Sequence, residues 1–332
     1  MKYRRLGITG MKVSEISIGS WLTYGSDNLA FEAAQQCLNT AIENGINFID
    51  TADIYAKGQA EEAVGKVVKN HDRSKLVIST KAFRPMSDDP NDVGLSRKHL
   101  FESIDKSLKR LQTDYIDIFY CHRYDIDTTT EETVRALSDL ITMGKIRYWG
   151  TSMWEPWQID SAAQIAKDVR GYLPVVEQPV YNMFQRDVVE GDYEDVISEH
   201  GIGLTVYSPL AQGVLTGKYN DSIPEDSRAG KEITSVKEGL TEERLTKTKK
   251  LTEIASDLGV EMSALALAWA LNHPNVDSVI TGATKPSHIE SNIKAIDVEW
   301  SPELENRIEE VLNNKPFNSS RHAIDPNEIA AL

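Results

Sequence analysis

Six polar residues follow one another along this chain: Asp50, Lys81, His122, Ser152, Gln178 and Tyr207. The steps between them run roughly 30, 40, 30, 25 and 30 residues, and Tyr55 lies just past the first. Each closes an apolar or β-branched run, such as Phe48-Ile49 before Asp50 or Leu76-Val77-Ile78 before Lys81. That step is the length of one strand-plus-helix unit. In a parallel barrel every strand's carboxyl end opens on one face, so residues far apart in sequence converge there. The residue types suit proton transfer. A tyrosine holds its proton at neutral pH, with an ordinary pKa near 10. A nearby ammonium favours the phenolate, and a carboxylate fixes and partly balances the ammonium. Asp50, Lys81 and Tyr55 supply these three parts, and His122 can hydrogen-bond a carbonyl oxygen and orient it. A protonated carbonyl oxygen needs a hydride at its carbon, which no side chain delivers, so a nicotinamide cofactor is implied. Ser152 and Gln178 offer groups that recognise an amide, and the Tyr207 ring can stack on a nicotinamide plane. Taken singly these residues say little: Asp50 reads as a strand-end cap, Lys81 as a snorkelling surface residue, His122 as a core histidine. Their joint placement at successive strand ends is what favours chemistry.

The elements that must position them can be read along the chain. Residues 1–14 hold two short extended stretches around Gly7 and Gly10, a β-hairpin pattern. Ile16 and Ile18 start the first barrel strand. Strands and helices then alternate: helix 29–44, strand 46–50, helix 58–69, strand 76–81, helix 97–111, strand 115–121. Thr128 to Glu131 resembles an N-capping box and opens a helix that stops at Gly144. Strand 146–151, helix 156–169, strand 175–178, helix 187–200 and strand 202–207 follow. An irregular insertion covers about 211–240. Two helices near 241–258 and 262–272 precede strand 276–281 and helix 286–296. A last helix, about 301–313, leads into a loop-like tail over 315–332. Near-continuous apolar strands alternating with helices predict a parallel sheet covered on both faces. Eight such units predict closure into one (β/α)8 barrel spanning residues 1–332. No glycine-rich nucleotide turn is present: Gly201-Ile202-Gly203 lies inside a strand and lacks the third glycine.

Composition narrows the class. The 332 residues are 40 % hydrophobic and 26 % charged, which predicts a soluble protein with a large core. A net charge of −15 disfavours nucleic acid or anionic membrane as a partner. The longest apolar stretch, Leu265 to Leu271, is too short to span a bilayer, and the N-terminus carries no secretory pattern, so a cytoplasmic location is expected. Cys37 and Cys121 read as two buried free thiols, and neither has partners at metal-ligand spacing, so no metal is expected.

Phe48-Ile49-Asp50-Thr51-Ala52-Asp53-Ile54-Tyr55, Ser79-Thr80-Lys81, Gly150-Thr151-Ser152 and Tyr207-Ser208-Pro209-Leu210 together resemble an aldo-keto reductase over nearly the whole chain. Gly213-Val214-Leu215-Thr216-Gly217-Lys218-Tyr219, followed by Asp226-Ser227-Arg228-Ala229, is similar to the branch of potassium-channel β subunits and their bacterial relatives. The resemblance implies a (β/α)8 barrel with NADPH extended across its carboxyl face and a small aldehyde or ketone as substrate. It implies Tyr55 as general acid, supported by Asp50, Lys81 and His122. Ser152 and Gln178 would hold the nicotinamide carboxamide, and Tyr207 would stack on the ring. Backbone at Ser208, Leu210 and Gly213, with Lys218, would meet the pyrophosphate, and Arg228 the adenosine 2′-phosphate. The stretch Thr281 to Asn292, with Gly282, Lys285, His288 and Asn292, resembles the second cofactor-binding segment. Channel-like relatives also suggest a homo-oligomer, a tetramer.

Three departures from the family pattern stand out. Met153 follows Ser152 where many members carry Asn. His288 stands where many place Arg, and Ser291 where an adenine-binding Glu is common. His122 occupies a position where channel subunits often have Asn, which favours an active reductase over a mainly regulatory subunit. Trp21, Tyr24, Phe83 and Trp154, just past strand ends, are expected either to wall an apolar substrate site or to be core aromatics. The tail with Arg321 and His322 is expected either to close over the cleft or to fray. Two rival readings remain: a β-subunit-like protein that senses cofactor redox state and turns over slowly, and a Schiff-base barrel with Lys81 as nucleophile.

Overall fold

The computed structural model describes residues 1–21, 24–25, 30–225, 227–231 and 234–316. The chain opens with an antiparallel hairpin of β1 (Tyr3–Arg5) and β2 (Lys12–Ser14). Eight parallel strands follow: β3 (Ile16–Gly19), β4 (Phe48–Asp50), β5 (Val77–Ala82), β6 (Ile116–Cys121), β7 (Ile146–Thr151), β8 (Val176–Glu177), β9 (Gly203–Tyr207) and β10 (Val276–Thr281). Each pairs with the next, and β10 returns to β3, so the sheet closes. Around it run α1 (Phe31–Glu43), α2 (Gln59–Val68), α3 (Arg97–Leu111), α4 (Thr130–Thr142), α5 (Pro156–Asp168) and α6 (Glu194–His200). Beyond β9 come α7 (Thr234–Gly239), α8 (Glu242–Asp257), α9 (Met262–Asn272), α10 (Pro286–Asn292) and α11 (Pro302–Leu312). This is the α/β barrel, with N-terminal hairpin and extra C-terminal helix, that the alternation of elements predicts.

Strand register explains why the polar residues meet. Asp50 pairs with Ser79, Ser79 with Ile118, Lys81 with Tyr120, and Tyr120 with Gly150. Side chains alternate with period two, so Asp50, Ser79, Lys81 and Tyr120 share one face, and His122, Ser152 and Gln178 continue it past their strand ends. The other face is mostly apolar. Ile49, Ile78, Phe119, Cys121 and Trp149 pack against Leu38, Val64, Leu100, Leu137 and Ile159 of the helices in one buried cluster. The amino end of the barrel is closed by the hairpin, whose Leu6 and Val13 are buried with Phe48, Val77, Ile118 and Val176. Gly7, at φ +49, donates its N–H to Asp277 at 2.8 Å, and Gly203 lies beneath it. A Cβ on Gly203 would sit 1.9 Å from the Asp277 carboxylate, so only glycine lets the hairpin approach this closely.

Several local details differ from expectation. The cap of α4 is Thr129, one residue later than predicted; its hydroxyl accepts from the Glu132 N–H. The Glu132 carboxylate does not close the box but accepts from the Arg97 N–H at the start of α3. The helix expected over 187–200 is broken: a wide turn, Val188–Asp192, contains Gly191 and precedes α6. A residue without side chain is a weak point in a helix. The helix expected over 286–296 tightens after Asn292 into a 3₁₀ turn, Ile293–Asp297. The insertion over 211–240 contains a 3₁₀ segment, Ala211–Thr216, and α7. Cys37 and Cys121 are buried free thiols. Among the described residues no single helix is long and apolar enough to cross a membrane. The apolar run of α9 is instead buried in the helix layer. Arg321 and His322, with the rest of the tail from 317, lie outside the described residues.

Candidate active site

Asp50 is the hub of a buried polar cluster at the carboxyl end of the barrel. Its Oδ2 accepts from Lys81 Nζ at 2.6 Å, and its Oδ1 from Ser79 Oγ at 2.7 Å and Gln178 Nε2 at 3.0 Å. Lys81 is fully buried and also donates to the Thr51 carbonyl at 2.8 Å. Burial pulls the ammonium's pKa down, and Asp50 pulls it back up. A buried charge pair is tolerable only when both ends are so completely hydrogen-bonded. Below it, Tyr120 shares a hydrogen bond with Thr205 at 2.8 Å.

Tyr55 opens the turn Tyr55–Gly58 immediately after β4. The turn reverses through Ala56 and Lys57, both at positive φ, and Gly58 at φ +90. This swings the phenol back over the rim: Lys81 Nζ lies 5.0 Å from its ring centroid, and the His122 ring meets it edge-on at 5.8 Å. The tyrosine pKa departs from the expected direction. Burial pushes it well above 10, with the Asp50 carboxylate adding to the rise. The reason is that Lys81 is already neutralised by Asp50, so desolvation of the phenolate dominates. His122 is driven down to about 2, first by burial and then by Lys81, Arg123 and Arg84. It is therefore an uncharged imidazole at physiological pH, with a buried Nδ1 that has no hydrogen-bond partner among the described residues.

Ser152 follows β7 and donates its hydroxyl to the Gln178 carbonyl at 2.9 Å, which ties the ends of β7 and β8 together. Met153 takes a positive φ, and its N–H donates to the buried Glu177 carboxylate at 2.5 Å. Burial pushes Glu177 up to about 7. Tyr207 ends β9 half-buried; burial raises its pKa, and the nearby Arg123 guanidinium opposes the rise. Ser208 turns at positive φ, and its carbonyl accepts from Asn182 Nδ2 at 3.1 Å. Ala211, Gln212 and Gly213 continue in left-handed geometry. The Gly213 N–H donates to the Leu210 carbonyl at 2.8 Å and so is engaged within the loop.

Across the mouth, Lys218 lies beside Gly213; a Cβ there would fall 3.1 Å from its Nζ. Lys218 and Lys285 both act on His288, whose pKa is lowered first by burial and then by these two cations. Gly282 and Lys285 are exposed, whereas Asn292 is buried at the end of α10. Arg228 is half-buried between Ser227 and Ala229. Its pKa is lowered by burial, and no carboxylate among the described residues pairs with it. Of the four aromatics expected near the substrate, Trp21 and Phe83 keep exposed surface. Tyr24 and Trp154 are sealed in the core, Trp154 edge-on to Tyr124 at 4.8 Å. Sequence reasoning overlooked Ser79, Arg123, Glu177 and Asn182. Ser79 was within reach of it, because it lies two residues before Lys81 on the same strand face.

The sequence pattern of the Aldo/keto reductase family matches residues 15–313. The chain belongs to the aldo/keto reductase family. It is an oxidoreductase fold whose members generally use nicotinamide dinucleotides. Similar proteins occur in Arabidopsis thaliana and in Oryza sativa subsp. japonica. Each is 46 % identical over 323 residues, covering 95 % of this chain and 98 % of the relative. Both carry the description probable voltage-gated potassium channel subunit beta. A Schizosaccharomyces pombe protein described in similar terms is 43 % identical over 95 % of this chain and 94 % of its own length. In this aldo/keto reductase the family match spans all eight barrel strands and stops after α11.

Proposed function

We propose that this aldo/keto reductase reduces small aldehydes or ketones to alcohols with NADPH, Tyr55 giving the proton. The observation that carries the reading is the placement of Tyr55 between an ion-paired Lys81 and an uncharged His122. A neutral imidazole can donate a hydrogen bond to a carbonyl oxygen without competing with Tyr55 as a strong acid. The raised tyrosine pKa keeps the phenol protonated until negative charge develops on that oxygen. Proton transfer then relieves the charge, and the Lys81 ammonium stabilises the phenolate left behind. The buried Asp50, Ser79, Gln178 and Thr51 contacts hold the ammonium so that little reorganisation is needed.

The residues fit a nicotinamide dinucleotide. Gln178 and Ser152 lie beside Asp50 where an amide would be read, Tyr207 presents a half-buried ring, and Lys218, Lys285 and Arg228 offer cations for phosphates. When bound, the cofactor supplies the hydride. Lys81 as a Schiff-base nucleophile is disfavoured, because its amine is sealed and bonded to Asp50 and Thr51. A redox-sensing subunit with slow turnover remains the second reading, favoured by the descriptions of the relatives. We further infer a cytoplasmic homo-oligomer of one-barrel chains, which light scattering of the purified protein would check. Mixing the protein with NADPH and an aldehyde panel, and following nicotinamide absorbance, tests the main reading. Steady multiple turnovers support the reductase. A single slow turnover favours the sensor, and none with either NADPH or NADH overturns both.

A further inference from the structure

Arg123 follows His122 directly and is half-buried at the mouth of the barrel. Its guanidinium folds back to donate to the His122 carbonyl at 2.5 Å. It lies near enough to act on Tyr55, Lys81 and His122. No carboxylate among the described residues lies within ion-pair distance of it. The acids nearest in sequence are engaged: Asp125 accepts from the Leu95 and Asp127 N–H groups and from the Thr128 hydroxyl. Lys81 is matched by Asp50 and His122 is neutral, while burial pushes the nearby acids Asp53 and Glu177 up to about 8 and about 7. A second guanidinium, exposed Arg84 over the Phe83 ring, also acts on His122. In a chain of net charge −15, two guanidiniums thus act on His122.

A half-buried guanidinium that makes one hydrogen bond keeps further N–H groups with which to take up an anion. The phosphate-binding cations proposed above, Lys218, Lys285 and Arg228, stand on the loop after β9 and on α10. Arg123 stands instead at the end of β6, on the His122 carbonyl and close enough to act on Tyr55, the two groups that meet the carbonyl compound in the proposed reaction. The anion it awaits therefore belongs to the other reactant. Resting on the reading that this site reduces carbonyl compounds, we propose that its substrates are short carbonyl compounds bearing a carboxylate, gripped by Arg123 with help from Arg84. Two of the guanidinium's N–H groups match a carboxylate's two oxygens, and the pairing fixes the carbonyl at one distance from Tyr55.

The test compares three aldehydes of similar length: succinic semialdehyde, its uncharged methyl ester, and butanal. The readout is the ratio of kcat/KM for the acid to that for the ester within each protein, which cancels general damage to the site. The intact enzyme should favour the acid by about 10–100-fold, the range of a charge-assisted hydrogen-bonded pair. Arg123→Gln should bring the ratio close to unity, Arg123→Lys should restore part of it, and Arg84→Gln should lower it less. Raising the salt should shrink the ratio in the intact protein. Succinate, which cannot be reduced, gives a readout independent of turnover. With oxidised cofactor present it should quench tryptophan fluorescence in the intact protein and not in Arg123→Gln, while succinamide does neither. A ratio near unity in the intact enzyme, or one that Arg123→Gln leaves unchanged, overturns the proposal. If the ester and butanal are also inert, the reductase reading fails; succinate binding that depends on Arg123 would still support the anion site, and its absence would remove it.

Discussion

The two ends of the cleft are built on different terms. At the proposed reacting end, Asp50, Ser79, Lys81, Thr51 and Gln178 lie on strands or strand ends, and their hydrogen bonds of 2.6 to 3.0 Å join them to one another. At the far end, Lys218, Arg228 and Lys285 lie on loops or a helix start, with no carboxylate partner among the described residues. The first arrangement is stabilised by the fold itself, and in the proposed reaction it would need little reorganisation as charge develops. The second leaves its charge for a ligand that brings phosphate with it. A change to the ion-paired cluster should therefore be felt in rate and stability, and a change at the far end in affinity alone.

Tyr55→Phe gives the largest effect. Aldehyde reduction should fall about 10²–10⁴-fold, the range of a positioned general acid. Cofactor affinity and thermal stability should hardly move, because the hydroxyl anchors neither. Steady-state kinetics beside cofactor fluorescence titration would show this, and unchanged turnover would remove the tyrosine from the mechanism. Lys81→Met should remove most turnover too, but with a second consequence. It leaves Asp50 buried and unpaired, a loss of about 3–5 kcal/mol in comparable cases. Denaturant unfolding would register it. A fully stable Lys81→Met protein would break the view that the reacting end is held by its own ion pair.

Arg228→Ala should act at the other end only. A guanidinium meeting a phosphate through charge-assisted bonds contributes roughly 1.5–3 kcal/mol, so NADPH should bind about 10–150-fold more weakly. NADH, which lacks the 2′-phosphate, should bind nearly as before. His288 should add little, because burial and then two lysines lower its pKa and so oppose the charged form. Equal weakening of both cofactors would mean that Arg228 merely holds the loop, and no change in either would place the phosphate elsewhere.

The same contrast decides what could be read from the sequence. The reacting end was legible because strand periodicity and spacing project directly onto barrel geometry. Asp50, Lys81, His122, Ser152, Gln178 and Tyr207 need only a regular register to converge. The loop after β9 was not, because Ser208, Ala211 and Gln212 take left-handed turns that their residue types do not announce. Tyr24 and Trp154 were ambiguous since an aromatic just past a strand end can face either the cleft or the helix layer. The direction of the Tyr55 pKa was misjudged because charge types alone do not show that Asp50 cancels Lys81 while burial remains. Glu177 went unnoticed because, one residue from Gln178, it points to the opposite face of the sheet.

Glu177 also provides the smallest and most diagnostic test. It is fully buried, and its carboxylate accepts from the Met153 N–H and the Tyr193 hydroxyl behind the Ser152 turn. Those bonds favour ionisation, but burial outweighs them and holds the pKa up at about 7, against 4.5 ordinarily. The sign follows from linkage. Between these two values the folded protein binds the proton that the unfolded chain has released, so stability falls as pH rises through that window and stays low above it. Asp53, pushed up to about 8, and Asp277, up to about 7, act in the same direction. His122 opposes them only below its ordinary 6.5, where its refusal to protonate costs stability as pH falls. Glu177→Gln keeps an acceptor for the Met153 N–H and removes the charge. Its melting temperature should match that of the unaltered protein near pH 5 and exceed it by roughly 1–3 °C near pH 8. Because the Ser152 turn belongs to the pre-formed end of the cleft, cofactor affinity in this variant should become less dependent on pH across the same window. A melting curve that shifts equally at both pH values would mean that the Glu177 side chain acts by shape and hydrogen bonding alone, with its ionisation playing no part in holding the turn.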